Sequence, residues 1–147
     1  MDEPLWLNRT IVEALHADQV REHGGQLGMR DPGLLDSALA RPQHVWAYDA
    51  DADLAKLAAE YGFGLAKNHA FLDGNKRVAL AATNVFLILN GFEIEAPEPE
   101  VVNTMLRLAD GRLSRSRFAE WIRRRMVPYE EGPKAAIATR SQPPGVA

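Results

Sequence analysis

The stretch 75–90 restricts the fold more than any other part of this chain. Val78, Leu80, Ala81, Val85, Phe86, Leu87, Ile88 and Leu89 place apolar side chains on nearly every side of a helix. Such a helix has no face to offer water and belongs in the middle of a helical bundle. Gly91 supplies its C′ residue.

The flanking segments provide the surroundings. Asn8 can cap a helix carrying Ile11, Val12, Leu15 and Val20, ended by Gly24-Gly25. Asp31-Pro32 opens a second, with Leu34, Leu35, Ala38 and Leu39 inward; Pro42 is expected to stop it and leave 41–51 as a connecting loop. Asp51 or Asp53 caps a third, with Leu54, Leu57, Ala58, Tyr61 and Leu65 on one face. Gly62 and Gly64 weaken that helix locally and are expected to admit a close neighbour. Phe92-Glu93-Ile94-Glu95 alternates like a short extended piece, and Pro97 and Pro99 preclude a longer strand. Helices at about 99–110 and 114–126 complete the set, the latter turning Phe118, Trp121 and Ile122 inward. No internal repeat is present. The expectation is an all-α domain over 1–127, a compact bundle around a buried central helix, followed by a loosely held Pro/Gly/Ala-rich tail at 128–147.

A chain of 147 residues suffices for one such domain. The absence of cysteine excludes disulfides, zinc–thiolate sites and cysteine nucleophiles. Met1-Asp2-Glu3-Pro4 is acidic where a secretory signal is basic, and the longest apolar run, around 85–89, is far short of a membrane span. A cytoplasmic protein with no membrane partner is expected. A net charge of −3 gives no global attraction to nucleic acid. Between 107 and 125, however, seven basic residues stand against Asp110 and Glu120, which reads as a solvated helix face or as a docking face for an acidic partner.

Chemistry concentrates in His69-Ala70-Phe71-Leu72-Asp73-Gly74-Asn75-Lys76-Arg77, between the third helix and the central one. A glycine-containing loop entering a helix start offers N–H groups without internal partners, a ready anion site. Gly74 lets the backbone approach a phosphate, and Lys76 and Arg77 place two cations where negative charge would gather. Asp73 is a hard oxygen ligand; magnesium commonly takes one or two carboxylates together with phosphate oxygens. His69 can accept a proton from an attacking hydroxyl. Phe71 reads as the anchor that pins the loop into the core. Taken singly, each has an ordinary reading: Asp-Gly-Asn is a turn, and a lone histidine near a helix end is a cap or packing residue. Two cations at the positive end of a helix are unfavourable unless an anion joins them, which favours phosphate binding.

This stretch, His-x-Phe-x-Asp-Gly-Asn-Lys-Arg, resembles the motif of the Fic/Doc family in its Doc form. A second segment agrees, from His23-Gly24-Gly25 through Met29-Arg30-Asp31-Pro32-Gly33-Leu34-Leu35 to Arg41-Pro42. A third is Phe86-Leu87 with Asn90-Gly91. The resemblance spans roughly 8–125. It implies a compact helical bundle with the motif loop at its centre, ATP and Mg²⁺ as cofactors, and transfer to a protein hydroxyl.

By that resemblance His69 is the general base and Asp73 the magnesium ligand. Gly74 and Asn75 give the anion-binding backbone, and Lys76 and Arg77 clamp phosphates. Lys76 stands where the Fic motif has glycine and the Doc branch has lysine, which implies transfer of the γ-phosphate, with elongation factor Tu as the implied target. Gly74 stands where the Doc branch has alanine and Fic enzymes have glycine, so the motif is a hybrid. The segment 41–51 takes the position of a target-aligning flap. No inhibitory Ser/Thr-x-x-x-Glu-Gly/Asn pattern is found, since Val127 stands where the Ser/Thr would precede Glu131-Gly132; a Phd-like antitoxin is the implied restraint. Arg30 is assigned either a functional role or a structural ion pair, and His16, His23 and His44 are read as surface or packing residues. The alternatives are AMP transfer on the same fold, a non-catalytic nucleotide- or antitoxin-binding module, and a nucleic-acid-binding regulator using Arg123-Arg124-Arg125.

Overall fold

A computed structural model describes residues 1–130. Six helices follow in order: α1 (Arg9–His23), α2 (Pro32–Tyr48), α3 (Leu54–Asn68), α4 (Asn75–Leu89), α5 (Glu98–Ala109) and α6 (Arg115–Arg125). Strands β1 (Phe92–Ile94) and β2 (Met126–Pro128) form a small antiparallel pair, with Glu93 opposite Val127. The fold is all-α, as the apolar spacing indicated. The tail expected to be loose lies, from residue 131 onward, outside the described residues.

Side-chain caps start four of the helices. Asn8, Asp31, Asp53 and Ser114 each accept the N–H three residues ahead. The core is built around the α3–α4 pair, with α2, α5 and α6 packed on α3 and α1 on α4. From Val78 to Leu89, α4 has no exposed residue, in keeping with its unbroken apolar surface. Tyr61 of α3 is wholly buried; its ring meets Phe86 at 5.0 Å, and its hydroxyl accepts the Leu7 N–H at 3.0 Å. Burial pushes that phenol up to about 12, so it stays a neutral hydroxyl. The chain start is also tied to the end of α4: the Asn90 side chain accepts from the Leu5 N–H and donates to the Leu5 carbonyl.

The expected stop at Pro42 is not observed. The α2 helix runs through it to Tyr48, so the connecting loop expected at 41–51 is mostly helix. The proline ring is buried, and no breaker follows until Asp49, whose N–H still bonds back to Val45 at 2.9 Å. One backbone hydrogen bond is forgone at Pro42, and packing of Leu39, Pro42, Val45 and Trp46 against the core offsets it.

The two α3 glycines mark close approaches, as expected. A methyl at Gly64 would lie 3.2 Å from Ala38 of α2. At Gly62 it would meet Thr83 Oγ1 at 2.5 Å and the Phe118 ring at 2.7 Å, where α3, α4 and α6 converge. Gly62→Ala therefore overpacks the core. Chemical denaturation should show a loss of about 1–3 kcal/mol in stability despite the better helix propensity of alanine.

Candidate active site

The α3 helix ends on His69, which adopts a left-handed conformation (φ 52°, ψ 48°). It is the only non-glycine residue with positive φ among the described residues. That turn lifts the imidazole out of the helix and leaves it exposed. The end is held by Arg30, whose Nε donates to the His69 carbonyl at 2.7 Å and whose Nη2 donates to the Asn68 carbonyl at 3.2 Å. Arg30 is thus a structural cap on the negative end of α3, bonded to carbonyls rather than to a carboxylate.

The next residues run beside the glycine-rich loop that follows α1. Arg30 and Asp31 N–H groups donate to the Ala70 carbonyl, Leu72 N–H donates to the Gly28 carbonyl, and Met29 and Phe71 form an antiparallel bridge. Gly25 is needed for this approach: a Cβ there would lie 2.8 Å from Asp73 Oδ2. Phe71 is buried, as its anchoring role required.

Asn75 locks the turn. Its Oδ1 accepts the Phe71 N–H and its Nδ2 donates to the Phe71 carbonyl, both at 3.1 Å. The side chain of Asn75 is therefore committed to the loop, and only its backbone remains for a ligand. His16 of α1 adds a second tie. It is buried, stacks on Phe71 with ring centroids 3.9 Å apart, and reaches the Asp73 carbonyl through Nε2 at 2.7 Å. A carbonyl can only accept, so Nε2 carries the proton.

Asp73 turns outward and is exposed. Its Oδ1 accepts the Gly74 N–H at 2.9 Å and its Oδ2 the Gln26 N–H at 3.2 Å. These two donors, Gln26 first, hold its carboxyl below the usual carboxylate range, with Arg77 and His16 adding charge attraction. The carboxylate keeps lone pairs free and is anionic throughout the neutral range. Gly74 has φ 73°, which explains the glycine; a methyl there would point at His16 and Val20 of α1, with His16 Nε2 at 3.6 Å. No side chain caps α4, and the N–H groups of Asn75, Lys76 and Arg77 make no hydrogen bond among the described residues.

These groups share one cleft of about 640 Å³. His69, Asp73, Gly74, Asn75, Lys76 and Arg77 form one side, and Val102, Met105 and Leu106 of α5 face them. Lys76 and Arg77 are exposed and have no acidic partner within 4.0 Å among the described residues. Magnesium fits this donor set in one way only. Among the described residues no group of three His, Cys, Asp or Glu side chains could cage a cation, so Asp73 would hold it jointly with phosphate oxygens and water.

Two contributors escaped sequence reasoning. His16 was read as a surface or packing residue; it packs, and it also orients the loop. Its spacing four residues from both Val12 and Val20 put a polar group on an inward face, a usable signal that it needs a buried partner. The apolar wall from α5 carried no signal of what it faces, and His23, an exposed residue, joins the cleft rim. The segment 41–51 lines no part of this cleft, so its reading as a flap over the site is not supported by its placement. The basic stretch 107–125 is largely paired: Arg123 with Asp53 and Glu120, Arg124 with Glu120, Arg125 with Glu100. Each of the three arginines that end α6 thus has a carboxylate partner among the described residues.

A profile described as the Fic/DOC family matches residues 6–87. The chain is 36% identical over 111 residues to "Protein kinase doc" of Escherichia phage P1, covering 76% of this chain and 87% of that protein. It is 51% identical over 74 residues to "Toxin Doc" of Mycolicibacterium smegmatis, covering 50% of this chain and 57% of that protein. With the family profile covering more than half of its length and a relative matched over most of both chains, the chain belongs to the Fic/DOC family.

Proposed function

We propose that this protein is a Doc-type toxin of a toxin–antitoxin module. In this reading its 1–127 domain transfers the γ-phosphoryl group of ATP to a hydroxyl of a protein target. The observation that carries it is the convergence of His69, Asp73, the uncapped start of α4, Lys76 and Arg77 in one cleft. The names of both relatives support it.

The chemistry divides among these residues. The exposed His69 imidazole takes the proton of the target hydroxyl as its oxygen bonds to phosphorus. The bond from phosphorus to the bridging oxygen breaks, and the electron pair leaves with ADP. Free N–H groups of Asn75, Lys76 and Arg77 hold phosphate oxygens at the positive end of α4. The Lys76 and Arg77 side chains neutralise charge on the transferred and leaving groups. Asp73 is the residue that would hold magnesium, which supplies further neutralisation of phosphate charge.

Transfer of AMP is the rival on the same fold. Gly74 spoke for it in the sequence, but the methyl that separates alanine from glycine there would point at His16 and Val20 of α1. Gly74 and Lys76 both line the cleft, but the alanine–glycine difference at position 74 is turned toward α1, and the exposed Lys76 side chain carries the distinction. A translation factor such as elongation factor Tu is the proposed target. A Phd-like antitoxin is the proposed restraint, for which exposed Leu72, Val102 and Leu106 give the cleft an apolar rim. No helix among the described residues is long and apolar enough to cross a membrane, in keeping with a proposed cytoplasmic setting.

The deciding experiment supplies Mg²⁺, a bacterial extract and ATP labelled at either the α- or the γ-phosphate. Label should enter one protein band from the γ position only and fall at least about 100-fold in His69→Ala. Label from the α position would establish AMP transfer instead, and no His69-dependent label from either would leave a binding module. Lys76→Gly should alter the transferred group or abolish transfer; an unchanged γ-transfer rate would remove Lys76 from its role. His16→Phe keeps the stack on Phe71 but loses the donor to Asp73. It should raise the Mg²⁺ concentration for half-maximal activity, and His16→Gln, which restores a donor, should recover part of it; equal behaviour of the two would reduce His16 to packing.

A further inference from the structure

A second cavity, of about 580 Å³, lies between α2, α3 and α6 and shares no lining residue with the catalytic cleft. Arg41, His44 and Tyr48 enter it from α2, Lys56 and Glu60 from α3, and Arg115 from α6. Glu60 is 2% exposed and lies between two guanidinium groups, with Arg41 Nε at 3.3 Å and Arg115 Nε at 3.0 Å from the same oxygen, Oε1.

Charge does not balance there. Lys56 is taken by Asp49, and Arg123 at the margin by Asp53 and Glu120. That leaves two arginines to one carboxylate, a net positive charge in a concave site. Both arginines approach Glu60 through Nε, and their Nη groups make no hydrogen bond among the described residues. Arg115 Nε is itself a buried donor that lacks a well-aligned acceptor. The Arg115 guanidinium also lies over the Phe63 ring, 4.4 Å from its centroid, so its plane is fixed. Two guanidinium groups anchored at one edge and free at the other form a preorganised oxyanion clamp.

We propose that this cavity is a second ligand site, distinct from the catalytic cleft, which binds the phosphoryl group of a small phosphorylated organic molecule between Arg41 and Arg115. A tetrahedral phosphate presents three oxygens and more charge than a carboxylate, and can accept from the free Nη groups of both guanidinium groups at once. The volume is that of a small-molecule site and exceeds what inorganic phosphate fills. The Tyr48 ring, 89% exposed, offers an apolar face to the organic body.

The test is a titration of the ¹⁵N-labelled full chain with phenyl phosphate, inorganic phosphate and benzoate at constant ionic strength. Phenyl phosphate should shift the amides of Ser116 and Ala119 saturably, more tightly than inorganic phosphate and much more tightly than benzoate. Arg41→Gln and Arg115→Gln should each weaken that binding about tenfold or more while shifts at Gly74–Arg77 persist. Should Arg115→Gln unfold by stranding Glu60, the more exposed Arg41→Gln carries the test alone. Shifts confined to Gly74–Arg77, benzoate binding as well as phenyl phosphate, or affinity indifferent to Arg41 would each overturn the proposal.

Discussion

The turn between α3 and α4 hangs on one amide side chain. Asn75 bonds both the N–H and the carbonyl of Phe71, so a single residue satisfies two buried backbone groups that no regular element could pair. The residues proposed for catalysis are hung from that bracket. Phe71 is fixed in the core, His69 is left at the end of one helix, and Asp73 and Gly74 are set at the start of the next. His16 and Arg30 reinforce the same turn from α1 and from the α1–α2 loop, each through a carbonyl of the motif. The motif is therefore a closed hydrogen-bonded unit before any ligand enters, which is the preorganisation that electrostatic catalysis requires.

Much of this was legible in the residues. The apolar surface of α4 demanded a central position, Asn8 and Asp31 marked helix starts where the structure has them, and Asp53 was one of two candidates for a third. The short extended piece at 92–95 was readable from its alternation, but its partner, 126–128, was not, because pairing across an intervening pair of helices leaves no local trace. Pro42 misled because the rule at work was local while the outcome was tertiary: a buried ring and a continuous apolar stripe outweighed one missing N–H.

Within the site, the motif residues singled out from the sequence share one cleft, but spacing alone did not say which atoms each presents to it. Asn75 is expected from the sequence to offer its backbone to an anion, and what spacing did not reveal is that its side chain belongs to the loop. Gly74 is expected to let the backbone approach a phosphate, and its positive φ is a second reason for glycine there, with the Cβ position turned toward α1. Such distinctions depend on which way a side chain leaves the backbone, and spacing alone does not contain that information. The basic stretch near the C-terminus is similar: its composition suggested a surface field, and its carboxylate partners come from distant α3, α5 and neighbouring turns.

The left-handed backbone at His69 has a consequence for how such a protein changes over time. A histidine is strained in that conformation, and asparagine or glycine would sit there more comfortably. Replacement by either would remove the imidazole and relax the chain in the same step. A substitution that ended the proposed proton transfer here would cost the fold nothing through its backbone. On the proposed function, the imidazole is there for its chemistry, at a small cost to the backbone that bears it.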